Sequence, residues 1–355
     1  PKAFHDYVRS GSWTETTLKN NKNDFQKISF RQRVAVDISN RNTRKTLLGT
    51  EYAMPVALAP VGSLGMQRAD GEILAAQAAE GFGVPFTLST MSICSIEEVA
   101  RNTSKPFWFQ LYVMRDHDFA KRLVERAKAA QCSALVLTLD LQILGQRHAD
   151  IRNGLSIPLK IKLSNLFDLL SKPSWCYQMA RTKNRTFGNV MGHVKDITNL
   201  NSLTKWVQDQ FDTKLNWDDV KRIKDWWGGK LIIKGIMDPD DAKMAQKCGA
   251  DALVVSNHGG RQLDGVNSSI STLPEIKKAV SNIDVLMDGG ISSGQDILKA
   301  IAMGAEGVMI GRSFVYGLSA GGKEGVTKSL EILNKELDMT MALCGRRDIK
   351  DVGRD

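Results

Sequence analysis

The sequence predicts a (β/α)8 TIM barrel with a long insertion after its fourth strand, and three observations lead there. Eight short apolar runs, many rich in β-branched residues, recur along the 355 residues. Segments with apolar residues at helical spacing fall between them. Polar and glycine-rich pieces follow several runs at their C-terminal ends, the face on which a barrel of this kind assembles its site. A doubly wound open sheet is the structural alternative.

The runs are Pro55 to Ala59, Val84 to Leu88, Phe107 to Tyr112, Ala134 to Leu139, Leu231 to Lys234, Ala252 to Ser256, Val285 to Asp288 and Gly307 to Ile310. Ile73 to Ala79, Asp118 to Ala130, Pro239 to Cys248, Leu273 to Ser281 and Gln295 to Gly304 read as amphipathic helices. The rhythm breaks once, where about ninety residues separate Asp140 from Leu231. The expectation is one domain over residues 1–355, with an insertion of about 141–230 on the C-terminal face, where lids and partner-binding segments sit. Within the insertion, between Leu155 and Leu200, Lys160, Lys162, Lys172, Arg181, Lys183, Arg185 and Lys195 stand against only Asp168 and Asp196. Leu163, Leu166, Phe167, Leu169, Leu170, Trp175 and Tyr177 lie among them, a pattern suited to docking on an anionic membrane surface. A solvated basic lid packing its apolar residues on its own barrel fits the same pattern.

At 42% hydrophobic and 25% charged residues, the composition is that of an ordinary globular protein. The five cysteines, Cys94, Cys132, Cys176, Cys248 and Cys344, are scattered without a C-x-x-C pair. They suggest neither a disulfide framework nor a metal site, and point to a reducing compartment. The net charge of +9 suits anionic ligands. No RNP motif, zinc finger or dense Lys/Arg tail accompanies it, so nucleic acid is not an expected partner. The chain opens at Pro1 without a secretory-signal pattern, and no apolar stretch approaches the roughly 20 residues of a spanning helix. The expected location is cytoplasmic, with peripheral attachment to the inner face of the cell membrane through the insertion.

The most informative stretch is Ser256-Asn257-His258-Gly259-Gly260-Arg261-Gln262-Leu263-Asp264, directly after an apolar run. Two glycines let the backbone turn, while His258 and Arg261 can face one small anion from the same side. A proton acceptor beside a carboxylate clamp suits a hydroxy or keto acid, although strand ends also carry Asn, His and Gly for ordinary turns. After the seventh run comes Asp288-Gly289-Gly290-Ile291, and after the eighth Ile310-Gly311-Arg312. Exposed backbone amides and a fixed cation on successive barrel loops fit a phosphorylated cofactor. No G-x-G-x-x-G follows the first run, which lowers a nicotinamide reading.

With Phe109-Gln110-Leu111-Tyr112, Leu137-Thr138-Leu139-Asp140 and Ile232-Ile233-Lys234-Gly235 added, the chain closely resembles the FMN-dependent L-2-hydroxy acid oxidising family along its whole length. That family includes glycolate oxidase, lactate oxidase, mandelate dehydrogenase and bacterial L-lactate dehydrogenases. Leu144-Gly145-Gln146-Arg147-His148-Ala149-Asp150-Ile151-Arg152-Asn153-Gly154, and less distinctively Phe187-Gly188-Asn189, look most like the last branch.

The resemblance implies His258 as the active-site base and Asp140 as the carboxylate paired with it; a helix N-cap is the plainer role for Asp140. It implies Arg261 and Arg147 as carboxylate-binding cations, with Tyr7 near the carboxylate and Tyr112 near the substrate hydroxyl, though either tyrosine could be packing. Lys234 resembles the lysine beside the flavin N1 and C2=O edge. Pro60, Val61 and Gly62 would pass near flavin N5; Ser89, Gln110, Thr138 and Ser256 would bond the ring or ribityl; Asp288, Gly290, Gly311 and Arg312 would hold the ribityl and phosphate end. Three departures stand out. Ser292 occupies the place of a common phosphate-binding arginine, Met91 that of a pocket tryptophan in glycolate oxidase, and Gly62 that of an alanine in many oxidases. Met91 leaves room for a side chain such as that of lactate, and Gly62 leans towards a dehydrogenase.

The resulting expectation is an FMN enzyme oxidising L-lactate or a close L-2-hydroxy acid, passing electrons to quinone or another carrier, as a homo-oligomer, by resemblance a tetramer. Whether His258 takes the Cα proton or the hydroxyl proton is open. The rivals are a soluble oxidase producing hydrogen peroxide and a catalytically silent anion-binding barrel.

Overall fold

The computed structural model describes residues 1–154, 163–194, 206 and 209–353. A short antiparallel hairpin, β1 (Lys45–Leu47) and β2 (Thr50–Tyr52), precedes the barrel. Its turn, Leu48-Gly49, has both φ angles positive, at 49° and 85°, as a two-residue hairpin requires. The eight barrel strands are β3 (Val56–Leu58), β4 (Thr87–Ser89), β5 (Trp108–Tyr112), β6 (Ala134–Thr138), β7 (Lys230–Ile236), β8 (Ala252–Val255), β9 (Asp284–Asp288) and β10 (Gly307–Ile310). All pair in parallel in the order β3-β10-β9-β8-β7-β6-β5-β4. A single parallel bridge, Leu58 to Phe86, joins β3 to the chain entering β4 and closes the ring. The eight expected runs are thus the eight strands, and the barrel, not the open sheet, is the fold.

Two hydrophobic layers hold it. The larger lies between the strands and the surrounding helices. The smaller fills the barrel itself with Ala57, Trp108, Val136, Ile232, Val254, Leu286 and Met309, capped from below by Leu48 of the hairpin turn. The Leu48 N–H donates to the Asp284 carboxylate at 2.8 Å, which fastens that plug. Side chains two apart on a strand share a face. The inward residues above this apolar layer are therefore Gln110, Thr138, Lys234, Ser256, Asp288 and Gly311. The same periodicity that fills the barrel turns polar at its upper rim.

The expected helices are present as Gly71–Phe82, His117–Ala129, Pro239–Lys247, Ser269–Ala279 and Gly294–Ala302. The helix Arg312–Leu343, broken at Gly322 where φ is +62°, packs against Gly71–Phe82 and Gly294–Ala302 and closes the outer ring. Between β6 and β7 lie the helices His148–Arg152, Leu163–Leu170, Pro173–Arg181 and Trp217–Trp227. The last of these packs on His117–Ala129 and β7 and is an ordinary barrel helix, so the extra material ends before it. Asn216 and Asp219 form a reciprocal capping box that starts this helix cleanly.

Candidate active site

The upper rim opens into a cavity of about 1810 Å³. That exceeds the roughly 300–1,000 Å³ of a typical single-ligand pocket, so a cofactor and a small substrate can share it. Its lining brings together Tyr7, Pro60, Val61, Gly62, Ser89, Met91, Tyr112, Thr138, Arg147, Lys234, His258, Arg261, Asp288, Gly290, Gly311 and Arg312. Of the residues singled out from sequence, Asp140, Gln110 and Ser256 stand directly behind this lining, each bonded to a residue that forms it.

The stretch after β8 places nearly every side chain at a distinct task. Asn257 exchanges two amide bonds with Asn21, each 2.8 Å, locking the loop to the helix Thr16–Asn23. His258 adopts a left-handed conformation, φ 58°, with its N–H donating to Ser256 Oγ at 3.1 Å. Its Nδ1 lies 2.9 Å from Asp140 Oδ1. Gln262 donates from Nε2 to the carbonyls of Asp140 and Ile143, both at 2.8 Å, and accepts from Gly145 N–H at 3.0 Å, which holds the loop after β6 in register with His258. Asp264 accepts from the N–H groups of Thr14 and Thr17, at 3.0 and 2.8 Å, and anchors the N-terminal segment. Gln262 and Asp264 belong to the quoted motif, yet their anchoring work could not be read there because their partners are distant backbone groups.

Burial is the largest influence on His258 and pushes its imidazole below the ordinary value, partly offset by Asp140. Burial works to raise Asp140, but His258 and then Lys234 outweigh it and hold the carboxyl below its usual value. The pair is thus a neutral imidazole on an ionised carboxylate. Because Nδ1 is engaged by Asp140, Nε2 is the nitrogen left to act as base.

Arg261 donates to the carbonyls of Tyr7 and, at 3.0 Å, Ser10, while its guanidinium sits 4.7 Å above the Tyr7 ring. Arg147 donates to the Arg261 carbonyl at 3.3 Å, so the two cations are neighbours. Burial, and then the neighbouring charge of Arg147, bring Arg261 down to about 9. Asp150, buried among the lining residues, was not singled out from sequence. Burial raises its carboxyl while Arg261 and Arg147 pull it the other way. Burial, and then Asp140, push the Tyr112 phenol up, which keeps it a hydrogen-bond donor.

Lys234, 4% exposed, donates to Ser256 Oγ at 2.8 Å and pairs with Asp288 Oδ2 at 2.9 Å. Burial works against its charge, but Asp288 and then Asp140 more than restore it. A β-bulge at Gly235, φ 104°, follows it, and a Cβ there would fall 2.8 Å from Asp140 Cβ. Glycine is what lets the lysine strand and the carboxylate loop meet.

Several buried polar atoms at the rim have no partner among the described residues: Gln110 Nε2, Thr138 Oγ1, Asp140 Oδ2 and Asp288 Oδ1. Such atoms are costly unless a ligand meets them. Beyond them, Gly289 and Gly290 have φ of 92° and 88°, and a Cβ on Gly290 would lie 2.0 Å from the Asn21 carbonyl oxygen. Arg312 donates to the carbonyls of Val8, Gly259 and Ser10 at 2.9, 3.2 and 3.1 Å. A polar floor, a buried lysine and a glycine cradle with a fixed cation fit a flat, phosphorylated cofactor.

Barrel, polar rim and base-and-clamp cavity define a cofactor-dependent oxidoreductase for small anionic substrates. The chain belongs to the FMN-dependent dehydrogenase family, whose model matches residues 1–355, and FMN is its cofactor. It is 45% identical to an L-lactate dehydrogenase of Actinobacillus pleuropneumoniae serotype 5b (strain L20), covering 100% of this chain and 93% of that protein. It is 46% identical to an L-lactate dehydrogenase of Haemophilus influenzae (strain PittEE), covering 99% and 92%. Among solved structures, the monotopic membrane protein (S)-mandelate dehydrogenase superposes with a TM-score of 0.94 at 34% identity, covering 99% of this chain and 94% of that one. A mutant of mandelate oxidase with (S)-mandelic acid superposes with a TM-score of 0.83 at 33% identity, covering 99% of this chain and 92% of that one.

Proposed function

We propose that this enzyme oxidises L-lactate, or a closely similar L-2-hydroxy acid, to the 2-keto acid and passes the electrons to a quinone or another carrier at a membrane surface, as a homotetramer. The observation that carries the reading is the His258–Asp140 pair, 2.9 Å apart, in one cavity with Arg147 and Arg261. An anion-binding module needs the arginines but has no use for a buried base with its own carboxylate.

Arg261 and Arg147 bind the substrate carboxylate, and Tyr7 supports Arg261 from beneath. The Tyr112 hydroxyl steadies the substrate oxygen. Oxidation of R–CHOH–COO⁻ to R–CO–COO⁻ releases two electrons and two protons, and His258 Nε2 takes one of the protons. Asp140 stabilises the imidazolium that results. When bound, FMN would take up the two electrons and the other proton. Lys234 and Ser256, with Gln110, Thr138 and Ser89, would hold its ring and ribityl, Pro60 to Gly62 would flank N5, and Asp288, Gly290, Gly311 and Arg312 would hold the ribityl and phosphate end. The fixed positive charge of Lys234 favours electron acceptance.

Support for L-lactate comes from the relatives so named and from Met91, an unbranched side chain at the substrate end of the cavity. Support for a membrane carrier comes from the monotopic neighbour and the basic insertion. The test is anaerobic mixing of the FMN-loaded enzyme with each lactate enantiomer while following flavin absorbance near roughly 450 nm. Bleaching by L-lactate and not by D-lactate is expected; a flavin left oxidised by both rejects the substrate assignment. Stoichiometric peroxide during aerobic turnover would favour an oxidase instead.

A further inference from the structure

We infer that Lys22, on the helix Thr16–Asn23, supplies the phosphate-binding cation that Ser292 does not; the inference rests on the FMN reading above. Ser292 has no part to give. Its N–H and Oγ both donate to Asp296 Oδ2, at 2.9 and 3.1 Å, next to the capping box that starts the helix Gly294–Ala302. Arg312 carries five N–H donors, and three backbone carbonyls already engage its guanidinium.

The helix Thr16–Asn23 abuts this end of the cavity. The Asn21 carbonyl oxygen would lie 2.0 Å from a Cβ on Gly290, and Asn21 Nδ2 would lie 3.1 Å from one on Gly289. The residue after Asn21 is therefore set beside the glycine cradle, and Lys22 lines the cavity with Gly289, Gly290 and Ser292. It is exposed, and among the described residues it has no hydrogen-bond or ion-pair partner. The neighbouring cations are committed: Lys27 to Asp24 at 2.7 Å and Lys299 to the Phe25 carbonyl at 2.8 Å. Lys19, one turn earlier on the same side, reaches the Thr14 carbonyl at 3.5 Å. Among the described residues, Lys22 is the cation at this end of the cavity with neither an ion pair nor a side-chain hydrogen bond. As a flexible ammonium it binds phosphate as a screened point charge, without the two-pronged grip of a guanidinium.

The test compares FMN with riboflavin, which lacks the phosphate, in fluorescence titrations of the full-length apoprotein. Lys22→Ala should lower the preference for FMN over riboflavin roughly fivefold while leaving riboflavin affinity unchanged. Added Ser292→Arg should restore the preference, and salt should erode it more in the parent than in Lys22→Ala. An unchanged preference in both Lys22→Ala and the Lys19→Ala/Lys22→Ala double variant would overturn the inference. So would equal loss of both flavins, with circular dichroism reporting whether the fold is intact. A parent that binds FMN no better than riboflavin overturns this inference alone, whereas one that binds neither flavin removes the FMN reading beneath it.

Discussion

His258 sits in a backbone conformation that a non-glycine residue adopts at a cost of about 1–2 kcal/mol. The bond from its N–H to Ser256 Oγ and the two flexible glycines that follow keep it there. The result is an imidazole that is neutral at neutral pH because burial lowers its pKa, with Asp140 acting in the opposite sense. If this base governs turnover, kcat/KM rises as pH climbs through the lowered His258 value and levels off above it. Asp140→Asn removes the influence that raises His258, so the acid limb should move to still lower pH. At the same time kcat should fall about 10²–10⁴-fold, because the imidazolium loses its counter-charge. A pH–rate profile of the variant with an unmoved acid limb would show that Asp140 does not act through His258. At this scale much was legible: a base and a cation three apart after an apolar run announce themselves. Gln262 and Asp264 did not, since bonds to backbone groups more than a hundred positions away leave no local pattern, and Asp150 did not, since it acts through the charges of Arg261 and Arg147.

At the scale of strands and loops, the site is a by-product of alternation. Strands that place Val136, Ile232, Val254 and Leu286 inward must place Thr138, Lys234, Ser256 and Asp288 inward one pleat higher. The eight strands and most helices could be read from this rhythm, and their ends differed by only a few residues. The hairpin plug, the N-terminal helices and the true end of the insertion were not legible. Short pieces carry little periodicity, and the helix Trp217–Trp227 lay inside the apparent gap. Loop glycines sort by what surrounds them. Gly290→Ala places a methyl 2.0 Å from the Asn21 oxygen at a φ of +88° and should destabilise the fold by about 3 kcal/mol or more. Gly62→Ala meets Met91 and Tyr7 only at 3.4–3.5 Å and should change stability by less than about 1 kcal/mol. Urea denaturation of the two apoproteins checks the contrast; similar losses would mean that the helix Thr16–Asn23 yields to the added methyl.

For the whole molecule, the insertion decides what the open side of the barrel meets. Phe167, Leu170 and Tyr177 are 67%, 67% and 61% exposed, amid the exposed cations Lys172, Arg181, Lys183 and Arg185. Trp175 instead turns inward, bonding the Met66 carbonyl at 2.9 Å and packing on Phe4. Part of the expected docking face is thus outward and part is packing, while Lys160, Lys162, Lys195 and Asp196 lie outside the described residues. Among the described residues no helix is long and apolar enough to cross a membrane. If the face docks, Phe167→Ser/Leu170→Ser should weaken binding to anionic vesicles roughly tenfold or more without altering lactate-driven flavin reduction. Equal vesicle binding by parent and variant in a sedimentation assay would show that this face does not dock, and a parent that binds no vesicles would remove the membrane from the reading.

Arg261 and Arg312 close on carbonyls contributed by Tyr7, Val8 and Ser10, which lie 251 to 304 positions earlier in the chain. On the ribosome those early carbonyls emerge long before either guanidinium exists, and the strand preceding Arg312 is the last of the barrel to be made. Residues near the start are therefore among the last to find their places. A nascent chain can hold most of its helices and strands and still lack the Arg312 bonds, so the cofactor end of the site is completed only after the last barrel strand has been made.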